Sequence, residues 1–364
     1  MIRKLFHFIF VVFILALLVG VPAGWMISRS YSDPEVHYFY AQKAPEEGTA
    51  QEKGEESLRF VVLSDLYNYV FEGGNGEIAD LAASTSPDAI LISGNMIRAD
   101  AENTDVITSL IKRLTQIAPV YYSYGEQEFQ YVRAHTPQQT AGTEESADPL
   151  REALEKEGAV VLNEEYVDVT LYGVSTRIGG MYNKAYEMTN LRGDVKKSSE
   201  TTWRFLKKFQ KTDSFKVILC SNPDSFIYGN ACKDWMVDLV VSGRNLGGLV
   251  VLPYYGGVFG GTQGYFPKYI HGMYERDNVD LFITSGLSAP QAMIPRFNNP
   301  PEIAVLDISD LESAETLNAR KKAAEEAKKA EEEAKKAKEE EKAAAEKEEK
   351  AKEQDKQETT DNGA

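Results

Sequence analysis

Histidine is scarce in this sequence. Among 364 residues only His7, His37, His135 and His271 occur, and none falls in a recognisable motif. A Ser-His-Asp triad is not legible, because Ser64 and Ser93 have no histidine nearby in a motif to activate them. Cysteine is scarcer still. Cys220 and Cys232 cannot form a disulfide framework, so two buried thiols or one disulfide are the readings left. An excess of basic charge is also missing. With 40 Lys and Arg against 56 Asp and Glu, the formal net charge is -16. Such a chain lacks the basic face that nucleic-acid phosphates require, so nucleic acid is not an expected partner. The Gly-rich stretches "FEGGNGE" (71–77) and "YYGGVFGGTQGYF" (254–266) lack the Lys-Ser/Thr of a phosphate-binding loop. They read as loops beside a site, where Tyr254, Tyr255, Phe259, Tyr265 and Phe266 either stack on a ligand or pack the loop down.

What is present divides the chain into five parts. Residues 1–4 carry Arg3 and Lys4, and residues 5–27 form an apolar run without charge. That run is long enough to cross a hydrocarbon core of roughly 30 Å as a helix. The basic residues before it put the N-terminus in the cytoplasm and the main domain outside, at the cell membrane. A signal anchor is expected, with a cleaved signal peptide as the alternative. Residues 28–57 read as a flexible linker and 58–310 as one folded domain. Residues 311–364 are rich in Glu, Lys and Ala without a Leu or Ile seam, so a solvated helix ending in a disordered tail is expected. The tail is a spacer or a grip for cell-wall polymer or a protein partner.

Within 58–310, apolar runs alternate with helical patterns. Strands are expected at "LRFVVLSD" (58–65), "DAILISGN" (88–95), "VYYSYG" (120–125), "FKVILCSN" (215–222), "VDLVVSGR" (237–244), "DLFITSG" (280–286) and "EIAVLDIS" (302–309). Helices are expected at 77–84, 104–117, 149–157 and 203–209, and two alternating strands within 159–180. The residues after "VYYSYG" read as a loop. This order implies an α/β domain of two packed sheets with helices outside. Five strands end in small or polar residues: Ser64-Asp65, Ser93-Gly94-Asn95, Tyr124-Gly125-Glu126, Cys220-Ser221-Asn222 and Ser242-Gly243-Arg244. In such an architecture these ends can converge on one edge.

That ordered series resembles the calcineurin-like metallophosphoesterases, near their bacterial membrane-associated branch, over some 250 residues. The family's Asp-x-His, Gly-Asp, Gly-Asn-His-Asp/Glu, lone His before proline and Gly-His-x-His-Gly-Gly map onto "SDLY" (64–67), "SGN" (93–95), "GEQE" (125–128), "SNP" (221–223) and "SGRNLGG" (242–248). "IPRFNNPPEIAVLDI" (294–308) resembles that branch's closing strand. The resemblance implies a four-layer sandwich, two mixed sheets flanked by helices. It also implies two metal ions held by the aligned positions, here Asp65, Tyr67, Asn95, Glu126, Ser221, Arg244 and Leu246. Only Asp65 keeps the family's residue type, and Gln127 stands where the catalytic histidine would be.

Three readings of that edge follow. Asp65 pairs with the Arg244 guanidinium in place of the ions. Alternatively Asp65, Asn95 and Glu126, with Glu128 near them, hold a hard cation such as Mg²⁺ or Ca²⁺. In the third reading, Arg244, Asn95, Tyr67 and strand-end amides bind an anion without metal. The expectation is a membrane-anchored, extracytoplasmic binding or scaffolding homologue that lacks dinuclear catalysis and needs no cofactor. The alternative is an active hydrolase of phosphoesters or diphosphates, with a divalent metal at an altered site.

Overall fold

The computed structural model describes residues 2–30, 33–41, 57–136, 148–182, 184–188, 198–260, 263–277, 279–288, 296–309 and 311. The chain divides into two compact units, Met1–Leu311 and Glu312–Ala364. The second unit holds the charged tail, and that tail lies outside the described residues.

Helix α1 (Ile2–Ser30) contains the apolar stretch Arg3–Gly24, whose 22 residues can cross a bilayer as a helix. It is the only helix of that length and composition among the described residues, and a signal sequence passes the same test.

The domain is built on two six-stranded mixed sheets. The first contains β1 (Glu35–Ala41), β2 (Leu58–Leu63), β3 (Ala89–Ile92), β4 (Val120–Ser123), β5 (Val160–Leu162) and β14 (Glu302–Ile308), in the order β1-β14-β2-β3-β4-β5. The second contains β6 (Glu165–Leu171), β7 (Val174–Met181), β8 (Phe215–Cys220), β9 (Leu239–Ser242), β12 (Gly272–Arg276) and β13 (Val279–Ile283), in the order β12-β13-β9-β8-β7-β6. A small hairpin pairs β10 (Val251–Leu252) with β11 (Gly256–Gly257).

The apolar runs of β2, β8 and β9 are explained by burial on both faces, since helices cover each sheet's outer side. Phe60 and Val62 point into the layer between the sheets, where they meet Val217, Leu219, Val241 and Phe282. Val61 and Leu63 alternate outward into a core with α2 (Gly76–Ser84), α3 (Asp105–Leu114), α4 (Glu126–His135) and α5 (Pro149–Lys156). On the far side, Ile218 and Val240 pack under α6 (Glu200–Phe209), α7 (Asp224–Ile227) and α8 (Ala231–Asp234). Each fully buried aliphatic side chain contributes roughly 1.5–3 kcal/mol. The result is a helix-sheet-sheet-helix sandwich, the four-layer architecture expected from the sequence. Cys220 and Cys232 are buried free thiols.

Four expectations need correction. Residues 28–57 are not wholly a linker, because β1 pairs in parallel with β14 over seven residues. Its alternation explains why: Val36 and Tyr38 pack on the helix-side core, and Phe39 and Ala41 on the inter-sheet core. The residues after β4 form α4 rather than a loop. Their apolar face is narrow, and only Glu128 and Tyr131 are buried. Finally, β12 was not expected. It pairs antiparallel with β13, and the segment 159–181 holds three strands rather than two.

Candidate functional site

Parallel strands β2, β3 and β4 run side by side, as do β8 and β9, so their C-terminal ends lie at one edge of each sheet. The chain leaves these ends through tight left-handed turns at Asp65 (φ 59°), Tyr67 (50°), Asn95 (57°), Arg244 (68°) and Leu246 (49°). For a side chain with a Cβ, such a conformation costs roughly 1–2 kcal/mol. Packing holds the turns in place. A Cβ on Gly94 would come within 2.2 Å of Gly125 N, and one on Gly243 within 2.1 Å of Ser64 Oγ. The glycines are thus required by close approach of backbone to side chain and backbone.

Asp65 lies at the centre, fully buried. Its Oδ1 accepts hydrogen bonds from Asn95 Nδ2 at 2.9 Å and the Tyr67 hydroxyl at 3.2 Å. Its Oδ2 accepts from the Ser64 hydroxyl at 2.9 Å and the Arg244 backbone N–H at 2.7 Å. Burial raises the Asp65 carboxyl above its ordinary range, and those four donors oppose the shift. The Tyr67 hydroxyl is held well above its usual range, first by burial and then by the Asp65 charge.

Asn95 joins the network from the end of β3. Its Nδ2 faces Asp65 and, at 3.4 Å, Ser221 Oγ, while its Oδ1 accepts the Gln127 N–H at 3.2 Å. Glu128 lies beneath the edge and is fully buried. It accepts from the N–H groups of Asn95 (2.7 Å), Met96 (2.6 Å) and Gly125 (2.9 Å), and from the Tyr122 hydroxyl (2.7 Å). Its position at the third residue of α4 turns the carboxylate back onto the helix start, as in a capping box. Burial raises its pKa against these donors.

The residues singled out in the sequence are therefore brought together unevenly. Asp65, Tyr67, Asn95 and Ser221 meet directly. Gln127 reaches Asn95 through its backbone, and its side chain accepts the Ala99 N–H at 3.0 Å. Glu126 is turned away, accepting from Gln130 Nε2 at 2.7 Å. Leu246 packs with Tyr67, Leu249 and Phe259. The expected Asp65–Arg244 ion pair is not formed. Arg244 reaches Asp65 only through its amide, and its side chain is exposed and makes no ion pair among the described residues. The left-handed turn accounts for this, since it aims the N–H at the carboxylate while the guanidinium extends outward.

In the sequence Arg296 stands only within the segment that resembles the closing strand, not among the site residues. It is buried, and its guanidinium donates to the carbonyls of Ser285 (2.7 Å), Ser288 (3.0 Å), Asn299 (2.9 Å) and Pro300 (2.9 Å). Burial pushes it down to about 10, while Glu302 and Asp65 pull the other way. The backbone it clamps on its near side is tied to the site: Leu287 N–H donates to Ser64 O at 2.9 Å and Ser288 N–H to Asp65 O at 2.8 Å. Among the aromatic residues of the Gly-rich loop, Phe259 packs against the Tyr67 cluster. Tyr254, Tyr255, Tyr265 and Phe266 stay exposed.

Over 94 residues the chain is 31% identical to the uncharacterized metallophosphoesterase YkuE of Bacillus subtilis (strain 168). The match covers 26% of this chain and 31% of that protein, so it spans about a third of the relative's length. The chain matches no protein-family profile. Among solved structures, phosphopantetheinyl hydrolase (PptH) from Mycobacterium tuberculosis aligns with 63% of this chain and 89% of its own, at 12% identity and a TM-score of 0.40. The calcineurin-like phosphoesterase YfkN from Bacillus subtilis aligns with 69% of this chain and 84% of its own, at 11% identity and a TM-score of 0.35. At these values the structural matches carry no residue roles across.

Proposed function

We infer that this chain, similar to metallophosphoesterases, is a catalytically degenerate homologue that acts by binding or scaffolding, anchored through α1 with its main domain outside the cytoplasm. The observation that carries this reading is the saturation of Asp65. A dinuclear hydrolase needs carboxylate and imidazole lone pairs free to hold two ions about 3.5–4 Å apart. At this edge the Asp65 oxygens accept four protein donors, and Asn95 Oδ1 accepts a fifth. Leu246 has no donor atom, and a guanidinium at position 244 repels cations. The residues present do not fit a pair of transition-metal ions, and the same saturation argues against a hard cation.

The exposed face supports a different use. Arg244 presents a free guanidinium suited to phosphate, and the exposed Tyr254, Tyr255, Tyr265 and Phe266 belong to the loop that packs beside Tyr67 through Phe259. A phosphorylated cell-envelope molecule combines an anion for the first with an apolar or sugar face for the second.

The test uses purified full-length protein in detergent. Bis-nitrophenyl phosphate should not be cleaved on addition of Mn²⁺, Fe²⁺ or Zn²⁺, and Asp65→Asn should leave the bound-metal content unchanged. Two transition-metal ions per chain that disappear in Asp65→Asn, together with metal-stimulated cleavage, would instead establish the active hydrolase.

A further inference from the structure

Glu302 opens β14 with its side chain fully buried, and its two oxygens meet different partners. Oε1 accepts from the Thr284 hydroxyl at 2.7 Å and the Ser285 N–H at 3.0 Å. Oε2 faces two imidazole nitrogens, His37 Nδ1 at 3.0 Å and His271 Nε2 at 2.5 Å. Ligand atoms from the three residues all lie within 4.8 Å of one another. Two of the chain's four histidines thus converge on one carboxylate oxygen. They come from different elements: His37 from β1 at the edge of the first sheet, and His271 from the residue preceding β12 at the edge of the second.

The second nitrogen of His37 narrows what can occupy the centre. His37 Nε2 faces Glu35 Oε2 at 3.3 Å. A neutral imidazole has one N–H. Given to Glu35, it leaves the Nδ1 lone pair pointing at the Glu302 carboxylate, which is repulsive unless a cation sits between them. Carboxylate, imidazole and cation in line is the usual outer support of a metal-binding histidine, and it fixes the tautomer. Glu302 has matching support, since Thr284 and Ser285 hold the oxygen that faces away from the imidazoles. Phe39 meets the His271 ring edge-on at 5.5 Å and fixes its plane. Both imidazoles are about one-third exposed, at 36% each, so an ion has a way in from solvent. Two imidazoles and one carboxylate leave a coordination position for water, a donor set of zinc sites. Imidazole favours zinc and its neighbours over magnesium or calcium.

We propose that His37, His271 and Glu302 bind one divalent transition-metal ion of the zinc class. The ion staples the edge strand β1 to both sheets. The three residues lie at the same strand-end edge as Asp65, with Glu302 in register beside Ser64. The side-chain bonds that hold them go to other residues than Asp65, Tyr67, Asn95 and Ser221, so the two clusters can be tested separately.

The experiment titrates zinc into chelator-stripped full-length protein in detergent and follows bound metal and thermal melting. One zinc per chain is expected, and at about 100 times the dissociation constant the melting temperature should rise by about 5–10 °C. His271→Ala, at a partly exposed side chain, should keep the metal-free melting temperature near that of wild type. It should lose the zinc-induced rise and bind at least about 10-fold more weakly, while Asp65→Asn should retain the rise. His37→Ala provides the same reading from the other sheet. A wild-type melt indifferent to zinc, or an equal rise in His271→Ala, overturns the site. So does a melt that follows protonation near neutral pH while ignoring zinc, since the position between the rings would then belong to a proton.

Discussion

Asp65 and Glu302 are both fully buried carboxylates at the ends of central strands, yet their surroundings differ in kind. Both oxygens of Asp65 are taken up by hydroxyl, amide and backbone donors that the fold supplies. Glu302 gives one oxygen to such donors and leaves the other to two imidazoles that can gain or lose a proton. The first lies where the aligned metal-ligand positions map, and the second lies in the segment that resembles the closing strand, where no ligand position maps. The difference teaches where to look for a ligand. What counts is a lone pair the protein has not already used.

The largest effect should come from a third carboxylate, one whose role is wholly internal. Glu128→Ala would strand the N–H groups of Asn95, Met96 and Gly125 and the Tyr122 hydroxyl without a partner. A loss of about 3–5 kcal/mol is expected, read from the denaturant midpoint. A loss below about 1 kcal/mol would mean that the strand-end edge does not depend on internal donors, and would break the contrast with Glu302.

A smaller effect is expected at Asp280, a partly buried carboxylate with no ion pair among the described residues. Burial, with Glu275 and Asp238 nearby, raises it from 3.8 to about 6. The protonated form is favoured by folding, so stability falls as pH rises from 3.8 through about 6. Asp280→Asn should therefore stabilise the domain at pH 7.5 by about 1 kcal/mol, after allowing for solvent screening of a half-exposed group. Near pH 4 the gain should shrink towards zero. Melts of both proteins across that range would show it, and a gain that grows on acidification would contradict the sign.

Arg244→Ala should change stability least, by no more than about 0.5 kcal/mol. The bond to Asp65 is made by the backbone N–H, which the substitution keeps. Protection by glycerophosphate in a thermal melt should nevertheless be lost. A destabilisation of several kcal/mol would restore the guanidinium–carboxylate pair and blur the distinction between the two clusters.

Much of the sandwich was legible because β2, β3, β8, β9 and β14 are apolar runs buried on both faces, a pattern that needs no tertiary knowledge. β1 was hidden by its neighbours: "EVHYFYA" stands between the apolar run and an acidic stretch, and its partner lies at the other end of the domain. Helix α4 was obscured by "EQEFQYVRAH", whose inward face is made by Glu128 and Tyr131. The strand-end residues were legible as a set, and Asp65, Tyr67, Asn95 and Ser221 do meet. The direction of Arg244 was not, because a left-handed turn exchanges the roles of backbone and side chain without leaving a mark in residue type. His37 and His271 had no spacing to betray them, since they join only when the edges of two sheets come together. The chain's small number of histidines was the one hint.

The pairing of β1 with β14 also sets a clock. His37 and Glu302 are 265 positions apart, and a ribosome adds roughly 5–20 residues per second. The first strand after the apolar helix must therefore wait about 10–50 s for its partner to be made. Until then the exposed edge of β2 that β14 will cover, and the aromatic strand β1 itself, are both unpaired and prone to stray association. A nascent chain halted before residue 302 should be a chaperone client, and one released after residue 308 should not.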